Sequence, residues 1–252
     1  MSDLTGRVVV VTGAGQGLGR AYAERIVADG GSVVIADLNE EKGAAVAAEL
    51  AGDGATARFV RLDVGDPESV TAFADTVSGE FRAVHGLVNN AAIFSTIQMR
   101  PFWEIPVEEW DRLMAVNLRG PWLVTRALLP VLRAAGGASI VNVGSDAVWL
   151  GRAGYLHYIA SKGGVAAITH SMAHELGGDE IRVNSISPGP TYTEVPRGTV
   201  SPEQKAAMQA AQALHRDAEP ADMVGVVAFL LSDDSRWVTG QTLSVNGGVL
   251  HR

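Results

Sequence analysis

The sequence contains no cysteine. Disulfides, thiolate nucleophiles and cysteine-ligated zinc are therefore excluded. It also lacks any apolar run near the roughly 20 residues that span a bilayer. Its first residues, Met1-Ser2-Asp3-Leu4, lack the basic-then-apolar pattern of a signal peptide. These two absences predict a cytoplasmic protein. There is no basic run, and the net charge is −8. Such a chain is a poor match for nucleic acid or an anionic membrane. No low-complexity linker, repeat or shift of composition marks a boundary. The 252 residues, 47% of them hydrophobic, are read as one domain over 1–252 with one large core.

Short β-branched runs alternate with longer helical patterns. The runs are 8–11, 33–35, 58–62, 86–88, 139–143, 181–186 and 242–245. Several show no polar–apolar alternation, which suits strands covered on both faces. Between them lie Ala-, Glu- and Leu-rich stretches such as 40–50 and 67–79. Seven strands interleaved with helices predict an α/β protein with a seven-stranded, doubly wound parallel sheet. The segment 190–220 breaks this rhythm. It is polar, carries Pro190, Pro196 and Pro202, then turns Ala/Gln-rich. It is read as a substrate-binding loop or lid, the alternative being an ordinary surface helix pair.

The first run leads into Thr12-Gly13-Ala14-Gly15-Gln16-Gly17-Leu18-Gly19, and a helical pattern follows with Leu18, Tyr22 and Ile26 on one face. A strand, a glycine turn and a helix N-terminus together suit a nucleotide pyrophosphate and a Rossmann fold. The glycines let the backbone approach, and the helix offers free N–H groups and the positive end of its dipole. The alternative is a purely structural tight turn. The second run ends in Ala36-Asp37-Leu38, eighteen residues on from Gly19 to the acid. An acid there accepts hydrogen bonds from the adenosine ribose and repels a 2′-phosphate, which favours NAD over NADP. Gln16 and Leu38 add no positive charge. The alternative for Asp37 is a helix N-cap, a role Asn39 would fill as well.

Tyr158 and Lys162 are four apart at the start of a helical pattern that runs to about Leu176. Residues four apart share a helix face, so phenol and ammonium meet one site. No acid at 158, 159, 165 or 166 neutralises the lysine. A nearby cation lowers a phenol's pKa from about 10 towards about 7–8, where it serves as a general acid–base. Ser145 ends the fifth run, thirteen residues before Tyr158. Side chains at the carboxyl ends of parallel strands face the ligand crevice, so its hydroxyl is placed to bond a substrate oxygen. Asn117 shares a helical face with Trp110, Leu113 and Met114. A buried Asn there needs partners, and it is also placed to hold a water near Lys162.

With these residues in hand, nearly the whole chain resembles the short-chain dehydrogenase/reductase family. The matching motifs are Thr12-Gly13 through Gly19, Asp63-Val64, Asn89-Asn90-Ala91-Ala92, Asn117, Ser145, Tyr158 with Lys162, Pro188-Gly189 and Val245-Asn246-Gly247-Gly248. The resemblance implies that Tyr158 moves the proton to or from the substrate oxygen. Lys162 would lower its pKa and bind the nicotinamide ribose, Ser145 would position the substrate oxygen, and Asn117 would anchor a water relay to Lys162. It implies that Gly13, Gln16, Gly17, Leu18 and Gly19 cradle the phosphates, with Asp37 and Leu38 at the ribose. Asp63 and Val64 would flank the adenine, and Asn90 and Ala91 the riboses. Thr191, through its backbone, and Thr193 would hold the carboxamide after Pro188-Gly189. Ala92 departs from the family's usual glycine, and Thr191 from a branched aliphatic. Members are commonly tetramers, so a homotetramer is implied.

The substrate is expected to meet Ser145, Tyr158, Phe94, Ala147, Tyr155 and Tyr192, with Ser95, Trp149, Pro190 and parts of 195–214 nearby. The aromatic content points to a hydrophobic cyclic or aryl secondary alcohol, oxidised to its ketone with NAD. Three alternatives stand beside this reading. A 3-oxoacyl-[acyl-carrier-protein] reductase fits the motifs but calls for NADPH and a basic patch. A non-catalytic NAD-binding regulatory protein would be expected to lack one of the four catalytic residues. A serine hydrolase lacks its nucleophile turn around Ser145. His170 and His174, four apart, are read as surface or helix-interface residues and not as a metal site.

Overall fold

Strand β1 (Val8–Thr12) is buried over Val9–Thr12, as a run of valines without alternation requires. The structure, a computed structural model, describes residues 2–51, 56–196 and 202–251. Six further strands flank β1: β2 (Ser32–Asp37), β3 (Ala57–Arg61), β4 (Gly86–Asn89), β5 (Ala138–Val143), β6 (Ile181–Pro188) and β7 (Thr242–Val245). All pair in parallel in the order β3-β2-β1-β4-β5-β6-β7. The fold is thus the expected single-domain, doubly wound Rossmann fold. Each strand lies within two residues of its sequence-based position.

Helices cover both faces. Val10, Val34 and Ile140 point to one side, where they meet Phe73 of α3 (Pro67–Glu80), Leu128 and Leu132 of α5 (Gly120–Arg133) and Leu176 of α7 (Leu156–Leu176). Val9, Val11, Val33 and Ile35 point to the other. There they meet Tyr22 and Ile26 of α1 (Gly17–Ala28), Val46 of α2 (Glu40–Leu50) and Val227 of α9 (Pro220–Leu231). The period of two along each strand divides the apolar side chains between two cores. Helix starts carry the expected chemistry. Asp66 accepts from the Glu68 N–H at 3.0 Å and is followed by Pro67. Glu219 and Asp222 cap α9 reciprocally.

The expected helix through Asn117 has an irregular middle. Helix α4 (Val107–Met114) passes through a π-helical turn, Ala115–Arg119, into α5. Pro121 has no N–H to return to the Asn117 carbonyl, so the α pattern fails at that position. In the 190–220 segment, Thr191 bridges Ala218, and α8 (Pro202–Ala210) lies between them. Residues 197–201 of the segment expected to form a substrate-binding loop or lid lie outside the described residues. Among the described residues no helix is long and apolar enough to cross a membrane.

A polar chain runs through the core behind the carboxyl ends of β4 and β5. Asn89 donates to the Asn142 side chain at 2.9 Å and to Thr125 at 3.2 Å. Asn142 donates to Thr169 of α7 at 2.9 Å, and Thr169 donates to the Val165 carbonyl at 2.8 Å. All four are buried. Asn142→Ala strands two of these groups, and we expect a loss of about 2–4 kcal/mol in unfolding free energy. Urea titration of both proteins measures it, and a loss below about 0.5 kcal/mol would mean the chain is energetically idle.

Candidate active site

The chain leaves β1 for one face of the sheet and β4 for the other, which opens a crevice between their ends. Thr12 and Asn90 close its floor. The Thr12 hydroxyl accepts from the N–H groups of Asn90 and Ala91, both at 3.0 Å. The Asn90 amide donates to the carbonyls of Thr12 (2.9 Å) and Gly13 (3.1 Å). Gly13 has φ +65°, and a Cβ there would lie 2.9 Å from the Ala91 Cα. A Cβ on Gly19 would collide with the Gly13 carbonyl and the Asn90 amide. Gly19 therefore serves close packing under the turn. Unlike Gly13, Gln16, Gly17 and Leu18, it does not line the cavity, which corrects its expected place in the phosphate cradle.

The cavity measures about 820 Å³. At its outer end the alternatives for Asp37 separate. Asn39 caps α2, accepting from the Lys42 N–H at 2.9 Å. Asp37 instead accepts from the N–H groups of Gly15 and Asn39, both at 2.8 Å, which fixes its carboxylate at the cavity edge beside exposed Leu38. The sequence reading missed a cation here: Lys42 donates to the Gln16 side chain at 2.6 Å. Asp63 and Val64 also line this end, and Asp63 is held by the Gly65 N–H at 2.9 Å. At the N-terminus of α1 the Gly17 N–H donates to the Glu194 carboxylate at 2.7 Å. The turn already holds an anion, supplied by the loop after β6, so its residues fit a dinucleotide pyrophosphate. No sequence signal pointed to Glu194, because the contact spans most of the chain.

At the inner end β5 and α7 bring three side chains to one wall. Ser145 follows β5, and its hydroxyl accepts from the Ala147 N–H at 3.2 Å. Tyr158 and Lys162 lie in the first two turns of α7, only 8% and 4% exposed. The Lys162 ammonium donates to the Val143 carbonyl at 2.7 Å. Burial pushes its pKa down to about 8, since an ammonium loses hydration that one carbonyl does not replace. Ser145, Tyr158 and Lys162 all line the cavity, as do Asn90, Ala91, Pro188, Gly189, Thr191 and Thr193. Asn117 does not. It is fully buried behind the wall, where its side chain accepts from the Ile93 N–H (2.7 Å) and donates to the Ile93 carbonyl (3.0 Å).

Of the expected substrate contacts, Phe94, Ser95, Ala147 and Tyr155 line the cavity. The Phe94 ring lies 4.9 Å from that of Tyr158. Tyr192 is a correction. Neighbours on an extended segment point to opposite sides, so while Thr191 and Thr193 face the cavity, Tyr192 turns away. Its ring packs under the Lys205 ammonium of α8, 4.3 Å from the ring centre. Trp149 is half-exposed and likewise lies outside the lining. Val195 and Met208, from the expected 195–214 segment, line it too, and the sequence reading missed Leu150, Arg152 and Val249, which also do. They come from the end of the short helix Ala147–Leu150 and from turns, where no periodicity marks a face. Among the described residues no group of three or more His, Asp or Glu is placed to hold a metal ion.

Residues 13–250 match a family model described as enoyl-(acyl carrier protein) reductase. A 3-alpha-(or 20-beta)-hydroxysteroid dehydrogenase of Mycobacterium bovis is 39% identical over 247 residues, covering 98% of this chain and 90% of its own. A cyclopentanol dehydrogenase of Comamonas testosteroni is 35% identical over 249 residues, covering 98% of each. A solved structure from Beutenbergia cavernae with bound NADP superposes with a TM-score of 0.90 at 34% identity, over 97% of each chain.

The buried ammonium has a measurable signature. Between pH about 8 and 10.5 the unfolded chain carries a proton on Lys162 that the folded chain has shed. Stability therefore rises with pH across that window and falls back as pH drops through about 8. Relative to Lys162→Met, the wild type should gain about 3 kcal/mol of unfolding free energy from pH 7.5 to 10.5. Denaturant titrations of both proteins over that range give the difference. A constant gap would show that the ammonium is well solvated.

Proposed function

The chain belongs to the short-chain dehydrogenase/reductase family and is an oxidoreductase of alcohols, and from that premise we propose that it oxidises a hydrophobic cyclic or aryl secondary alcohol to its ketone with NAD. The observation that carries this reading is the meeting of Ser145, Tyr158 and buried Lys162 on one wall of a largely apolar cavity. When bound, the nicotinamide supplies the acceptor for the hydride that leaves the carbinol carbon.

The chain's own residues do the rest. Tyr158, as phenolate, takes the proton from the substrate oxygen, and returns one in the reverse direction. The Lys162 ammonium lowers the cost of that phenolate, and its dry surroundings strengthen the attraction. The Ser145 hydroxyl donates to the same substrate oxygen and steadies the charge that develops on it. Asn117 spends its side chain on Ile93, which leaves its backbone carbonyl, freed by Pro121, to hold a water towards Lys162. Phe94 and Tyr155 favour an apolar ring beside the reacting carbon.

NAD is favoured by the Asp37 carboxylate, held at the ribose end by two backbone N–H groups. Lys42 and the NADP-bound neighbour weigh on the other side. An acyl-carrier-protein reductase would need a basic face for its acidic partner, and a chain of net charge −8 with no basic run does not favour one. Exposed Phe102 and Trp103 before α4, Trp122 on α5 and Trp237 before β7 are the faces through which a homotetramer would pack. A cytoplasmic location completes the proposal.

Two measurements test it. In an absorbance assay with a panel of secondary alcohols, kcat/KM with NAD should exceed that with NADP by at least about 10-fold, and Asp37→Ala should erase most of that ratio. A wild-type preference for NADP would remove the Asp37 argument. Tyr158→Phe should lower kcat at least about 1000-fold while NADH affinity changes little. Substantial residual turnover would remove Tyr158 from the proton path, and NADH binding without turnover of any alcohol by the wild type would favour a regulatory binder.

A further inference from the structure

The substrate end of the cavity contains a cation that the proposed chemistry does not use. Arg152 lies between α6 (Ala147–Leu150) and α7, half-buried, with its side chain in the cavity lining. Its guanidinium carbon sits 5.6 Å from the centre of the Tyr155 ring. One of its terminal nitrogens is 3.4 Å from the Met208 sulfur of α8. Among the described residues no carboxylate forms an ion pair with it. Arg100, in the segment between β4 and α4, differs: it is 3.2 Å from Glu109. The lining acid nearest in sequence, Asp146, is already committed. Its carboxylate takes the Ser244 hydroxyl at 3.2 Å and the Asn246 amide.

An aromatic face and a thioether are poor substitutes for water around a guanidinium. What they leave available is the planar edge of N–H donors, which matches the two oxygens of a carboxylate. The position also matters. The Tyr155 ring centre is 6.5 Å from that of Tyr158, so Arg152 is one aromatic ring removed from the acid–base group. An anion bound there belongs to the end of the substrate remote from its carbinol. Phe94 and Tyr155 lie beside Tyr158, and Tyr155 and Met208 beside Arg152, so apolar groups join the two.

We propose that Arg152 determines specificity by receiving a substrate carboxylate, so that the substrates are ring-bearing secondary alcohols with a carboxylate remote from the carbinol. This rests on the alcohol dehydrogenase reading above and names its substrate class. Arg152 takes no part in proton or hydride transfer, so its removal should act on KM and spare kcat.

The test compares 4-(1-hydroxyethyl)benzoate with neutral 1-phenylethanol. The wild type should favour the carboxylate by at least about 10-fold in kcat/KM, mainly through KM. Arg152→Met should erase that preference and leave 1-phenylethanol within about 3-fold of wild type, while Arg152→Lys keeps part of it. Equal use of both alcohols by the wild type, or an equal loss for both in Arg152→Met, overturns the proposal. A second arm separates its failure from failure of the dehydrogenase reading. If neither alcohol is oxidised with NAD or NADP, that reading falls, and benzoate and benzamide are titrated onto the protein by competition with NADH fluorescence and by calorimetry. Tighter binding of benzoate, lost in Arg152→Met, still supports a carboxylate site. Equal binding of the two rejects it.

Discussion

At their carboxyl ends, β1 and β4 part company, and the backbone groups this exposes must find partners. A threonine hydroxyl and an asparagine amide provide them. Buried N–H and C=O groups left unpaired here would each cost on the order of a hydrogen bond's desolvation. With Thr12 and Asn90 in place, two loops diverge from one fixed floor. The glycine turn stands on one side and residues 90–94 on the other, with the cavity between them. Gly13 and Gly19 are small because this floor leaves no room for a Cβ.

The inner wall rests on a different balance. An ammonium is held nearly dry against a single backbone carbonyl, next to a tyrosine packed between aromatic rings. The arrangement is unfavourable for the isolated charge, and the same low polarity would strengthen its attraction for any anion formed beside it. Rigid elements keep it in place. Helix α7 fixes the spacing of Tyr158 and Lys162, and β5 sets Ser145 and the Val143 carbonyl opposite them.

Much of this was readable from the chain, and the reasons can be given residue by residue. Strands were legible because Val8 to Val11 and similar runs are apolar on both faces. Tyr158 and Lys162 were legible because four-residue spacing on a helix fixes a common direction. Tyr192 was misplaced because its segment is extended and irregular, so aromatic character suggested a pocket that alternation denied it. Arg152 and Glu194 were missed because tertiary contacts alone decide what a loop residue meets. The π-helical turn was invisible because Pro121 acts on a carbonyl four residues back, not on its own position.

The polar chain behind the site has one more consequence. A parallel sheet of valines and isoleucines carries little information about how far each strand should slide along its neighbour. Asn89 and Asn142 are direct partners across β4 and β5. A slip of one residue would turn Asn142 to the opposite face, away from both Asn89 and Thr169, and bury an amide without partners. The pair therefore works as an index mark for strand alignment, selecting one pairing among apolar alternatives that packing alone would scarcely distinguish.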